Sequence, residues 1–406
     1  MSNQADELRD LPFPRSAPME PPVEWAELRE KCPFAAVRLP SGDRARMLTR
    51  YEDVRKVLTD PRFSRDLARP DAARLTTAGD QGFMNARRPG VDITDGPGHT
   101  RWRRLVGRTF TMKRVEGLRP RIGAMVDELL DAMTAHQGRP VDLVPNLALP
   151  LPVGVICELL GVPASDQGRF TEWANQMLSL TRYDADEVAA GRAEFAAYMT
   201  GLIAAKRAEP GDDLLSELIS VTDAEDGRLS EAELLATSMS LLAAGHETTA
   251  SMIGKMAAIL LSHRERYETL LADPSLVPAA VEEVIRFDAM SEFGLPRYAT
   301  ETVEVGESVV EKGTTVLLSL QAANRDQSVF ASPETWDAHR GDNHHLGFSA
   351  GAHFCMGSPL ARVELQEVLA GLLRRLPTLR LAVPAEQLRR REGLLVGGYE
   401  SVPVTW

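Results

Sequence analysis

The sequence predicts a mainly α chain with small β-sheets, and three observations carry that prediction. From about Thr100 to Asp273, apolar residues recur three or four apart, the period of helices that bury one face. Within that span one stretch, opening at Ser230, stays apolar around most of its circumference for about 33 residues, roughly 50 Å at the helical rise. Alternating and β-branched residues gather mainly in YATETVEVGESVVEKGTTVLLSL. No internal repeat and no linker interrupts residues 1–406, so one large domain is expected.

The elements follow in order. Residues 1–22, rich in Pro and charge, read as an extended lead-in. AAVRLP and ARMLT, separated by SGD, give a hairpin pattern over 35–49. A short helix is expected from Tyr51 to Thr59, then a turn at DPRFS. Residues 66–94 have mixed charge and no period, a long loop of the kind that carries function. RVEGLRPRIGAMVDELLDAM, ELLGV, GRAEFAAYMTGLIAAKRAE and LLSELISV are helices by period. The long helix opens with a capping box, Ser230 with Glu233 three residues on. PAAVEEVIRFD is a shorter helix, strands follow it, a loop spans 322–357, and a last helix covers about 359–375. The tail LLVGGYESVPVTW reads as a final hairpin.

Composition removes several classes. Hydrophobic residues make up 44% and charged residues 26%, a folded chain rather than a disordered one. A net charge of −12 argues against a non-specific nucleic-acid binder, which needs a basic surface. Cys32, Cys157 and Cys355 are too few for a disulfide framework, which favours a reducing compartment. MSNQADELRD lacks the basic-then-apolar pattern of a signal peptide, and no apolar run approaches the roughly 18 residues of a membrane span. A cytoplasmic protein with no membrane attachment is expected.

Two stretches carry chemistry. In Phe348-Ser-Ala-Gly351-Ala-His353-Phe-Cys355-Met-Gly357, a glycine-punctuated loop presents one thiol just before a helix start, where N–H groups favour a thiolate. A lone thiolate suits a haem iron, whose porphyrin supplies four other ligands. A small buried hydrophobe is the blander reading of Cys355, and zinc held with His344, His345 or His353 is another. The second stretch, Ala244-Gly245-His246-Glu247-Thr248-Thr249, lies midway along the long helix. Ala244 and Gly245 leave space against the helix wall, and Thr248 can turn its hydroxyl to the carbonyl of residue 244. Glu247 beside Thr248 joins an acid to an alcohol, the parts of a proton relay. Packed threonines and a surface acid are the alternative.

Phe348-x-x-Gly351-x-His353-x-Cys355-x-Gly357 resembles the haem-binding loop of the cytochromes P450, and the resemblance runs over nearly the whole chain, closest to soluble actinobacterial members. It implies the cytochrome P450 fold with the long central helix over the haem, and a haem b ligated by the Cys355 thiolate. It implies that Ala244 and Gly245 line the haem, that Phe348, Gly351 and Gly357 frame the thiolate, and that Glu247 and Thr248 deliver protons during oxygen activation. His99, Arg103, Arg297 and His353 match the family's propionate partners. Glu283 and Arg286 match its structural ion pair, with His339 or Arg340 as a third member and Trp336 where a Phe is usual. Ser349, Met356 and Ser358 depart from the commoner residues, with a modest effect expected on loop packing or redox potential.

The resemblance also implies a monooxygenase using O2 on a largely hydrophobic small molecule, tailoring a secondary metabolite. By position the substrate meets Phe83, Met84, Leu178, Tyr183, Thr237, Leu241, Ala244, Ser291, Phe293, Leu295 and Val396. Oxidative coupling, desaturation or rearrangement stays open, as does a haem protein that binds ligand without turnover. No dinucleotide fingerprint or further cysteine cluster is present, so electrons must come from outside the chain, and the resemblance implies a ferredoxin with its reductase. Arg101, Arg104, Arg108, Lys113 and Arg114 form a basic patch for that partner, or simply a solvated helix face. A monomer is expected.

Overall fold

The computed structural model describes residues 7–78, 89–108, 110–135, 140–223, 229–290 and 293–406. Its helices are α1 (Val23–Lys31), α2 (Tyr51–Thr59), α3 (Gly96–Gly107), α4 (Met112–Ala135), α5 (Pro150–Leu160), α6 (Gln167–Met177), α7 (Ala185–Ala208), α8 (Leu214–Asp223), α9 (Glu231–Leu261), α10 (Arg264–Ala272), α11 (Val277–Phe287), α12 (Leu320–Ala323) and α13 (Ser358–Arg375). The strands are β1 (Arg9–Asp10), β2 (Phe34–Arg38), β3 (Arg44–Leu48), β4 (Phe63–Ser64), β5 (Val141–Asp142), β6 (Leu295–Ala299), β7 (Val303–Val305), β8 (Ser308–Val310), β9 (Thr315–Leu318), β10 (Arg380–Leu381) and β11 (Pro403–Thr405). The mainly α prediction holds.

The long helix α9 starts where its cap signal lies. Ser230 Oγ accepts the Glu233 N–H at 3.2 Å, and Glu233 Oε2 accepts the Ser230 N–H at 2.8 Å. That reciprocal pair satisfies two donors the first turn leaves open. From Thr249 to Leu261 every residue is buried, so this half of the helix runs through the core. Helices α5, α6, α7, α11 and α13 pack around α9, and α13 lies along α4. No helix among the described residues is long and apolar enough to cross a membrane.

The β structure divides into a six-stranded sheet of order β1-β2-β3-β9-β6-β4, a three-stranded sheet β10-β11-β5 and the hairpin β7-β8. The predicted hairpin over 35–49 is β2 with β3, in the register Phe34 opposite Leu48. At the far edge β4 pairs antiparallel with β6, Ser64 opposite Tyr298. That pairing sets Arg65 beside Arg297, a neighbourhood the site depends on.

The tail departs from its prediction. Rather than closing on itself as a simple hairpin, it makes two isolated antiparallel bridges to residues before it, Leu394 to Ser179 and Tyr399 to Arg390. Its last strand, β11, then pairs with both β10 and β5. A strand with a neighbour on each side pairs backbone groups along both edges, which a terminal hairpin cannot do. The expected long loop at 66–94 has no helix or strand in its described parts, and 79–88 lie outside the described residues.

Candidate functional site

Cys355 sits at the end of a tightly turned loop. Its N–H donates to the Phe348 carbonyl at 2.8 Å, and α13 begins three residues later. Gly351 has φ +68°, and a Cβ there would lie 2.7 Å from the Leu58 carbonyl oxygen of α2, so both backbone and space require glycine. Cys355 is exposed, while Cys32 and Cys157 are buried. Protein encloses it on the other sides, and that burial pushes the thiol above its ordinary value against the N–H groups of Gly357 and Ser358 and the charge of Arg103. The expected helix-terminus effect is therefore present but outweighed, and a metal must displace that proton.

The zinc reading fails on geometry. His345 Nε2 contacts Glu282 at 3.1 Å, His353 Nε2 contacts Asp95 at 3.3 Å, and no cluster of three or more metal-ligating side chains occurs among the described residues.

Around His353 lies a basic cleft. The His99 and His353 rings are 4.2 Å apart, and Arg65 Nη1 is 3.4 Å from His353 Nδ1. Burial, then the charges of His353 and Arg65, push His99 down to about 4. Asp95 falls to about 2: burial opposes ionisation, but hydrogen bonds from His353, Ser64 and the Arg65 N–H outweigh it. Arg297 is 2% exposed, and burial together with Arg65 lowers it to about 9. The one hydrogen bond described for its guanidinium goes to the Pro296 carbonyl, at 2.8 Å. A buried cation without a carboxylate partner among the described residues demands an anion. Two arginines and two histidines on one wall fit a ligand bearing carboxylates, as haem does. Arg103 donates to the Phe354 carbonyl at 2.6 Å, so it also steadies the thiol loop. Arg65 escaped the sequence reading, because only the β4–β6 pairing reveals it.

Midway along α9, Thr248 Oγ1 donates to the Ala244 carbonyl at 2.7 Å, as expected. Ala244 is exposed and Thr248 half-buried, whereas Ala243, His246, Glu247 and Thr249 are buried. Gly245 corrects its prediction: a Cβ there would lie 2.9 Å from Ile156 Cδ1, so this glycine admits α5 rather than opening a notch for cofactor. Glu247 is no surface acid. It is fully buried and ion-paired with Arg391, a residue the sequence did not single out.

The predicted structural pair forms. Arg286 donates to both Glu283 oxygens at 2.8 Å, and neither side chain is exposed. Of the two candidate third members, Arg340 is the one, at 3.0 Å from Glu283. Asn343 Nδ2 and the Asp337 N–H add to Glu283, the Asn324 carbonyl accepts from Arg286, and Trp336 is buried nearby.

The predicted substrate residues are less unified. Phe83, Met84 and Ser291 lie outside the described residues. Thr237 is removed from the set: it is fully buried and accepts the Trp102 indole N–H at 2.9 Å, which ties α9 to α3. Leu178, Phe293 and Val396 are buried, and Tyr183, Leu241 and Leu295 half-buried. Phe293 belongs to the apolar cluster that includes Leu180 and Leu67, Leu241 lies against the helical core, and Leu295 lies against the cluster that includes Val316 and Leu318 of β9. None lines the cavity of about 1210 Å3 between Arg44, Arg74 and Thr315. Two members leave the basic patch as well, since Arg101 pairs with Glu233 and Arg114 with Glu217. Arg104, Arg108 and Lys113 remain exposed.

Against known proteins, the family described as Cytochrome P450 matches residues 192–379. Nocardicin C N-oxygenase of Nocardia uniformis subsp. tsuyamanensis is 43% identical over 98% of this chain and 99% of its own length. Mycinamicin IV hydroxylase/epoxidase of Micromonospora griseorubida is 44% identical over 94% of each. Among solved structures, the LnmA cytochrome P450 hydroxylase from the leinamycin pathway of Streptomyces atroolivaceus superposes with a TM-score of 0.88 at 40% identity, covering 98% of this chain and all of that one.

Proposed function

The chain belongs to the cytochrome P450 family and is a monooxygenase of it, and on that premise we propose that Cys355 is the axial ligand of a haem b. The observation that carries the reading is the exposed thiol two residues from His353, in a wall where the buried Arg297 guanidinium forms no ion pair among the described residues. Haem bound there, with Cys355 as its thiolate ligand, would supply the redox chemistry of a monooxygenase.

The chain's own residues do the rest. Arg65 and Arg297, with Arg103 at the rim, would neutralise the two carboxylates, and His99 and His353 would donate hydrogen bonds to them. Phe348, Gly351 and Gly357 shape the loop, and Arg362 stacks over the Phe348 ring at 4.4 Å. Ala244 and Thr248 form the face of α9 toward the ligand, and Glu247 passes protons through Thr248 Oγ1. Electrons come from a ferredoxin and its reductase, docking at Arg104, Arg108 and Lys113. The substrate is a largely hydrophobic small molecule, a secondary-metabolite scaffold like those in the names of the relatives, held by Leu178, Tyr183, Leu241, Phe293, Leu295 and Val396. We read residues 1–406 as one domain, acting as a cytoplasmic monomer.

The test is the absorption spectrum of the dithionite-reduced protein under carbon monoxide. A strongly red-shifted Soret band, abolished in Cys355→Ala and moved in Cys355→His, is expected. Haem-supplemented protein without a haem band overturns the reading.

A further inference from the structure

Glu247 is held from outside its own helix. One carboxylate oxygen takes the Arg391 guanidinium, while Oε2 has no hydrogen-bond partner among the described residues and lies 3.6 Å from His246 Nε2, which also has none. Arg391 is itself anchored: its Nη2 donates to Asn175 Oδ1 of α6 at 2.6 Å, and its backbone N–H to the Gly398 carbonyl at 2.9 Å.

The segment that carries Arg391 is laced to the connection between α6 and α7. The Leu180 and Thr181 N–H groups both donate to the Gly393 carbonyl, at 2.8 and 3.1 Å, and the Leu395 N–H donates to the Leu178 carbonyl at 2.8 Å. Gly393 has φ +73°, and a Cβ there would lie 2.7 Å from Thr181 Oγ1, so the approach is closer than a side chain permits. One strap thus grips the acid of α9 and, two residues on, the connection that carries the substrate candidate Leu178.

We propose that Arg391 is the positioning residue for Glu247, and that the strap 391–398 ties proton delivery at Thr248 to the seating of the α6–α7 connection. The inference rests on the reading of Glu247 and Thr248 given above. With the connection seated, Arg391 fixes one carboxylate oxygen and leaves the other for transfer. A connection that lifts draws the strap, and Arg391 with it, away from the acid.

The experiment compares Arg391→Ala, Arg391→Lys and Glu247→Gln in the haem-loaded enzyme with a ferredoxin and its reductase. Dioxygen consumption is followed in H2O and D2O without added substrate. Glu247→Gln and Arg391→Ala should each slow it by about tenfold and change the solvent isotope effect alike, with Arg391→Lys recovering most of the loss. A purely structural ion pair predicts a lower urea midpoint with a wild-type isotope effect instead, and the reduced carbon monoxide spectrum checks that haem is retained. Independently of turnover, amide deuterium exchange over 178–181 should quicken by about tenfold in Arg391→Ala. Should that variant not fold, exchange and isotope effect in Arg391→Lys decide: wild-type values for both overturn the proposal, intermediate ones support it. An impaired Glu247→Gln beside a wild-type Arg391→Ala overturns the inference alone. Wild-type behaviour of Glu247→Gln overturns the acid–alcohol reading and the inference with it.

Discussion

Glu283 and Arg286 meet through two hydrogen bonds of 2.8 Å with neither side chain exposed, one turn apart on α11. The pair is fully committed, because Arg340 and Asn343 complete Glu283 while three carbonyls complete Arg286. Removing one member strands the other as a buried charge. Arg286→Leu should therefore cost about 3–5 kcal/mol, read as a lower urea midpoint or as insoluble protein. A midpoint within error of wild type would show that the network is not needed for folding.

Ser349 has φ +65°, in the region that favours glycine, and its buried Oγ has no hydrogen-bond partner among the described residues. Ser349→Gly relieves the strain and the orphaned hydroxyl, against a smaller entropy cost in the unfolded chain. A gain of about 1 kcal/mol in urea unfolding is expected. A lower midpoint would mean that the hydroxyl has a use the strain conceals.

Gly245 and Ile156 provide a test of close helix packing. Gly245→Ala should improve helix propensity by about 1 kcal/mol yet destabilise the protein, because the new Cβ would meet Ile156 at 2.9 Å. Combined with Ile156→Ala, the double variant should cost less than the sum of the two single variants by roughly 1 kcal/mol or more. Additive losses in a double-mutant cycle would return Gly245 to the cofactor side.

Glu282 gives the acid limb of stability a residue. Burial opposes its ionisation, but hydrogen bonds from His345 and Arg362 outweigh it and lower the carboxyl from 4.5 to about 2. A depressed carboxyl contributes stability that is complete above its unfolded value and lost as pH falls through the folded one. The contribution, on the order of 2 kcal/mol after allowance for partial exposure, should disappear between about pH 4.5 and 2. In Glu282→Gln, urea midpoints should be lower at pH 7 and fall less steeply below pH 4.5. A parallel acid limb in both proteins would remove Glu282 from the account.

Arg104, Arg108 and Lys113 are exposed on one stretch of chain, whereas Arg101 and Arg114 are engaged with glutamates. Charge reversal at Arg104 and Arg108 should slow reduction by ferredoxin about tenfold at low salt, with the gap closing as ionic strength rises. An unchanged rate places the docking surface elsewhere. Arg101→Ala should act on stability through Glu233 instead.

What could be read directly from the chain was local. The bounds of α2, the cap at Ser230 with Glu233, the start of α13 and the hydroxyl of Thr248 turned to Ala244 are all written within four residues of one another. The thiol loop was legible for the same reason, since its ligand and its glycines share ten positions. Glu283 and Arg286 needed only one turn of helix, although Glu52-x-x-Arg55, Glu116-x-x-Arg119 and Glu386-x-x-Arg389 share the pattern and show that spacing alone did not select them.

The tertiary structure decided which side chains meet across distance. Arg65 reaches Arg297 and His353 only because β4 pairs with β6 in one register. Arg391 reaches Glu247 across 144 residues, and Thr237 goes to Trp102 across 135, away from any substrate. Gly245 faces α5 through helix packing that no periodicity specifies. Caps, turns and amphipathic faces are fixed by interactions within a turn or two, so sequence determines them. The partner of a buried charge depends on sheet register and on which helix faces interlock, and those are properties of the folded whole.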